Sequence, residues 1–143
     1  MKHYLLGILL CTSTVYAECA HMKITIDNNT PETCLLVENH LKHGKINFYS
    51  AIPRTILSGA ESFPILLEES LSPINPGIEL SLTYQCGEGR QISILSQKSG
   101  CYSGNSTQAQ ITATSKMNAT YDITSGNFWS PNQVGGSIYW TLY

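Results

Sequence analysis

The sequence predicts an all-β domain, a single antiparallel two-sheet β-sandwich of about nine or ten short strands. Three observations predict it. Apolar and polar residues alternate in short runs, as they do in strands with one buried face, most clearly in Ile78-Glu79-Leu80-Ser81-Leu82-Thr83-Tyr84. Turn formers separate those runs, for example Asn28-Asn29-Thr30-Pro31 and Ser72-Pro73-Ile74-Asn75-Pro76-Gly77. No sustained 3.6-residue period competes, and Leu66 to Leu71 would supply one helical turn at most.

The elements follow in order. Lys23-Ile24-Thr25-Ile26-Asp27 alternates and stops at Asn28-Asn29-Thr30-Pro31, and Thr33 to Glu38 is a second strand. His43-Gly44 turns the chain into Lys45-Ile46-Asn47-Phe48-Tyr49. Arg54 to Leu57 follows Pro53 and ends at Ser58-Gly59. In Ser62-Phe63-Pro64-Ile65-Leu66-Leu67, Pro64 lacks a ladder donor and points to an edge strand or a bulge. Ile78–Tyr84 and Gln91–Leu95 flank Gly87-Glu88-Gly89 and form a hairpin. Gln110–Ala113, Ala119–Ile123 and Ser137–Leu142 complete the set. In the last of these, Ile138, Trp140 and Leu142 share the face expected to be buried, and Tyr139, Thr141 and Tyr143 share the other.

Met1-Lys2-His3, the apolar run Tyr4 to Val15 and the small-x-Ala pattern Val15-Tyr16-Ala17 read as a signal peptide of residues 1–17. Cleavage after Ala17 would leave residues 18–143 as a secreted or periplasmic β-sandwich domain. No later segment is apolar enough to cross a bilayer as a helix. Of the 5 cysteines, Cys11 leaves with the leader, and Cys19, Cys34, Cys86 and Cys101 remain for two disulfides. Pairing Cys19 with Cys34 and Cys86 with Cys101 would close two local loops of similar size. A metal site is the weaker reading, because no C-x-x-C spacing occurs.

Several function classes drop out. With 8 Lys+Arg against 10 Asp+Glu and 13% charged residues, the chain has no basic footprint for a nucleic-acid backbone. A G-x-S-x-G elbow, a phosphate-cradling glycine loop and a zincin motif are all absent. His40-x-x-His43 has no third metal ligand at a useful spacing, so neither a metal nor a cofactor is expected. Glu68-Glu69 reads as a solvated loop or strand end, since adjacent strand residues face opposite ways and cannot flank one bond. The sequons at Asn28, Asn105 and Asn118 receive no role. The expectation is a protein that is not an enzyme.

The order of short elements resembles the aegerolysins, small β-sandwich proteins that recognise membrane lipids, several of them with a pore-forming partner. The resemblance runs through Ile24-x-Ile26-x-Asn28, Leu35 to Asn39, His43-Gly44-Lys45, Ile56 to Gly59 before Phe63, Gly77-x-Glu79, and Gly135-Gly136-Ser137-Ile138. Actinoporin-like lytic sandwiches share part of this pattern. The family's Trp-Asp-Cys-Pro stretch is replaced here by Ser99-Gly100-Cys101-Tyr102-Ser103, and aegerolysins usually lack a leader and disulfides.

With the leader marking it as secreted, the resemblance implies a protein that binds a membrane lipid or cell-surface ligand, as a component of a cytolysin, with a pore-forming partner protein. Trp129, Phe128, Tyr102, Tyr139 and Tyr143 are the residues expected to insert into or stack on the ligand. The alternative is a protein–protein or pilus-like assembly module that uses the terminal alternating strand as a sheet edge. An eight-stranded outer-membrane barrel fits less well, because the strands are shorter than the roughly ten residues it needs.

Overall fold

The computed structural model describes residues 19–70, 76–101, 103–126 and 135–143. The signal peptide expected at 1–17 lies outside them. The strands are β1 (His21–Asn28), β2 (Cys34–His43), β3 (Lys45–Ile46), β4 (Thr55–Ile56), β5 (Ala60–Glu61), β6 (Ile65–Glu68), β7 (Ile78–Cys86), β8 (Gln91–Lys98), β9 (Thr107–Ser115), β10 (Ala119–Thr124) and β11 (Ser137–Leu142). They build a two-sheet sandwich, as the alternation predicts. Sheet A runs β10-β11-β1-β6-β3 with β5 also on β1, and sheet B runs β4-β2-β7-β8-β9. The β7–β8 hairpin forms where expected, with Tyr84 opposite Ile92.

Alternation decides the core. Met22, Ile24 and Ile26 of β1, Leu80, Leu82 and Tyr84 of β7, Ile92 and Ile94 of β8, and Ile138, Trp140 and Leu142 of β11 are all buried in one cluster. The Trp140 indole N–H crosses between the sheets and donates to Ser96 Oγ at 3.0 Å. That bond satisfies the one polar atom an otherwise apolar side chain brings into the core.

Several expectations are corrected. Sheet A is mixed rather than purely antiparallel: β11 lies parallel to β1, with Thr25 opposite Tyr139 and Ile26 opposite Trp140. Terminal strands have no short connection between them, so nothing forces a hairpin geometry. The last strand is also no sheet edge, since β1 pairs with one side of it and β10 with the other.

The disulfides are Cys19–Cys101 and Cys34–Cys86 rather than the local pairs. Cys34 and Cys86 are register partners on β2 and β7, with Cα atoms 4.1 Å apart. Cys19 lies just before β1, while Cys34 follows it, so a strand of roughly 25 Å separates the two.

Glu69 is not solvated. It is buried and paired with Lys98, itself buried at the end of β8. Burial pushes the Lys98 ammonium down, while the hydrogen bond and charge of Glu69 hold it up. Glu68 does face the opposite way, toward Lys45 at 3.0 Å.

Finally, the strand expected to run through Tyr49 ends at Ile46, and Pro64 precedes β6 instead of interrupting it.

Candidate functional site

The early end of β3 produces the most unusual surface among the described residues. Gly44 switches the chain from sheet B to sheet A with φ +91°, where a Cβ would lie 2.9 Å from the Glu68 carbonyl oxygen. After Ile46, Asn47 closes a turn on itself. Its Oδ1 accepts the Tyr49 N–H at 2.9 Å, and its carbonyl accepts the Ser50 N–H at 2.9 Å. Ser50 then stands in for a strand residue: its Oγ accepts the Leu66 N–H at 2.8 Å and donates to the Pro64 carbonyl at 3.2 Å.

This turn throws Phe48 and Tyr49 outward, 92% and 89% exposed, with their rings edge-to-face at 5.2 Å. Phe63, held by the segment leading into β6, is 91% exposed. The three rings border one cleft of about 740 Å³, whose walls also include Lys23, Pro53 and Leu66. A second cleft of about 470 Å³ adjoins the first and shares Phe48, Ser50 and Ala51 with it.

Electrostatics beneath the loop are settled internally. Lys45 and Asn47 hydrogen-bond to Glu68, and they hold its carboxyl below the ordinary carboxylate range against the opposing effect of burial. His21 lies 3.7 Å from the same carboxylate. Lys23 has no ion pair among the described residues, so its charge faces the cleft uncompensated.

The residues picked from the sequence are distributed as follows. Tyr139 lies on the outward face of sheet A, the face it shares with Lys23 and Leu66. Its hydroxyl donates to Glu61 Oε2 at 2.9 Å, which pushes the phenol up to about 12. Tyr143 is half-exposed at the opposite end of β11, where its backbone pairs with Asn118. Tyr102, Phe128 and Trp129 lie outside the described residues. The described flank of the Phe128-Trp129 connection is nevertheless informative, because the Lys23 N–H donates to the Gly136 carbonyl at 3.0 Å. Gly136, just before β11, therefore lies beside a cleft-lining residue.

Phe48, Tyr49 and Phe63 were missed as site residues. Asn47 was the available signal for the first two, since an Asn before two aromatics can end a strand through its own side chain. Phe63 beside Pro64 carried no comparable mark.

The sequence matches no family model and no curated protein. Its fold does match solved structures. The lipid binding protein Nakanori superposes with a TM-score of 0.68 at 8% identity, over 86% of this chain and 70% of that one. RahU protein, solved in complex with a TRIS molecule, gives 0.60 at 15% identity, over 88% and 96%. IP-1A from Alcaligenes faecalis gives 0.57 at 18% identity, over 90% and 93%. At these identities the likeness is one of fold: this chain shares its β-sandwich with all three.

Proposed function

We propose that this protein is a secreted, non-enzymatic sandwich that binds lipid at a membrane surface through Phe48, Tyr49 and Phe63, as a component of an aegerolysin-like cytolysin. The observation that carries the reading is the gathering of three almost fully exposed aromatic rings around one cleft. Each ring moved from water into a lipid interface gains roughly 1.5–3 kcal/mol. Together they reach the several kcal/mol that reversible surface binding requires. Lys23 adds a cation at headgroup depth. The fold shared with Nakanori, a lipid binding protein, supports the reading.

The test is co-sedimentation of oxidised Glu18–Tyr143 with vesicles of varied lipid composition, with dye release followed in parallel. The expected result is lipid-dependent binding that falls about tenfold in Phe63→Ala and in Tyr49→Ala, and that is lost in Trp129→Ala. Dye release without any added protein would make it a cytolysin by itself. Failure of the wild type to bind any composition overturns the reading.

A further inference from the structure

Resting on the lipid-binding reading, we infer that the second cleft, headed by Arg54, takes the phosphate group of a phospholipid headgroup while the aromatic rim holds the apolar part of the interface. The cleft exists because sheet A stops short. Strand β3 has 2 residues, whereas β2 opposite it has 10. The inward-facing positions of β2 are Cys34, Leu36, Asn39 and Leu41, each opposite a buried residue of β7: Cys86, Tyr84, Leu82 and Leu80. Asn39 therefore points toward the space between the sheets, yet it is exposed, because no strand of sheet A covers it. A carboxamide at a core-facing position is out of place in a closed sandwich and suited to an open one.

Arg54 and Asn39 line this opening over a floor of Leu36, Ile46 and Ile52. Among the described residues, neither the guanidinium nor the Asn39 carboxamide has a hydrogen-bond or ion partner. Carboxylates that could neutralise Arg54 are engaged elsewhere or turned away. Glu68 is held by Lys45 and Asn47, and Glu79 by Lys42 and Gln97. Glu38 is opposite Thr83 on the outer face of sheet B.

A planar guanidinium with free donors is matched to a phosphate, which it binds through two parallel hydrogen bonds. The apolar floor favours a phosphate carried by an amphiphile over a fully hydrated ion. The two clefts share Phe48, Ser50 and Ala51 in their walls, so a phosphate at Arg54 lies next to the aromatic rim that takes the apolar part.

The experiment compares wild type, Arg54→Gln, Phe63→Ala and Lys116→Gln on two kinds of vesicle. One kind is phosphatidylcholine with phosphatidylglycerol; the other is digalactosyldiacylglycerol, which has no phosphate. Lys116 is an exposed cation beyond β9, on the opposite edge of sheet B, and controls for net charge. Arg54→Gln is expected to weaken phospholipid binding about tenfold, leave galactolipid binding unchanged and keep the wild-type melting temperature. Phe63→Ala is expected to weaken both, and Lys116→Gln neither.

Wild-type phospholipid binding by Arg54→Gln overturns the inference while leaving the lipid reading intact. An equal loss in Lys116→Gln overturns it as well. If the wild type sediments with neither vesicle, the lipid reading fails, and calorimetric titration with inorganic phosphate and glycerol 3-phosphate decides the anion site. Saturable heat that Arg54→Gln abolishes supports the site for a free phosphate group, and no heat in the wild type overturns it.

Discussion

Asn28 does at residue scale what a strand pair does elsewhere. Its Nδ2 donates to the carbonyls of Glu32 and Ile56, both at 2.9 Å. Its Oδ1 accepts the Thr30 N–H at 3.0 Å and the Thr30 hydroxyl at 2.7 Å. The side chain is fully buried, so Asn28-Asn29-Thr30 is a structural knot, and its asparagine is inaccessible for glycosylation in the folded state. Asn28→Ala leaves those buried partners unpaired and should cost about 3 kcal/mol, read as a lower urea midpoint at unchanged m-value. Glu68 sets a second expectation. Its folded pKa lies below the ordinary value, so its contribution is present above about pH 4.3 and is lost as the pH falls through the folded pKa. In Glu68→Gln that acid-sensitive part of the stability should vanish. Urea midpoints of variant and wild type should differ at pH 7 and converge as the pH falls below the folded pKa.

At the scale of elements, the two disulfides join parts of the fold that are distant in sequence. Cys34–Cys86 staples β2 to β7 across 52 residues, and Cys19–Cys101 ties the start of β1 to the β8–β9 connection across 82. Loop entropy grows with separation, so each removes about 4 kcal/mol of denatured-state freedom, more than a local pairing would. Non-reducing peptide mapping should recover these two pairs. Replacing Cys34 and Cys86 together by Ala should lower stability by an amount of that order. Strand alternation had marked β7, β8 and β11 plainly, because each has one fully buried face. The segment after Lys45 misled, because Asn47 uses its side chain to end a ladder that Phe48 and Tyr49 would otherwise have extended. Cysteine pairing was illegible for a different reason: spacing along the chain says nothing about which strands become neighbours.

On the scale of the whole molecule, one hydrophobic cluster spans both sheets, from Met22 and Trp140 in sheet A to Leu82 and Ile94 in sheet B. Heat unfolding of the oxidised domain should therefore be a single transition, with calorimetric and van't Hoff enthalpies equal. Phe63 stands outside that cluster. Its replacement by Ala should leave the melting temperature within a degree or two, since surface substitutions away from packed features change stability by roughly 0.5 kcal/mol or less. Loss of vesicle binding at constant melting temperature would separate an interfacial role for the rim from a structural one. No helix among the described residues is long and apolar enough to cross a membrane.

The sequence by itself determined the all-β class, most strand positions and the burial of Ile138, Trp140 and Leu142, because side-chain alternation is a local property that the solvent enforces strand by strand. Tertiary structure alone decided the parallel β1–β11 pair, the disulfide partners, the burial of Glu69 with Lys98, and the meeting of Phe48, Tyr49 and Phe63 at one cleft. Each of these depends on which distant segments become neighbours, and that choice is made by the packing of the whole core.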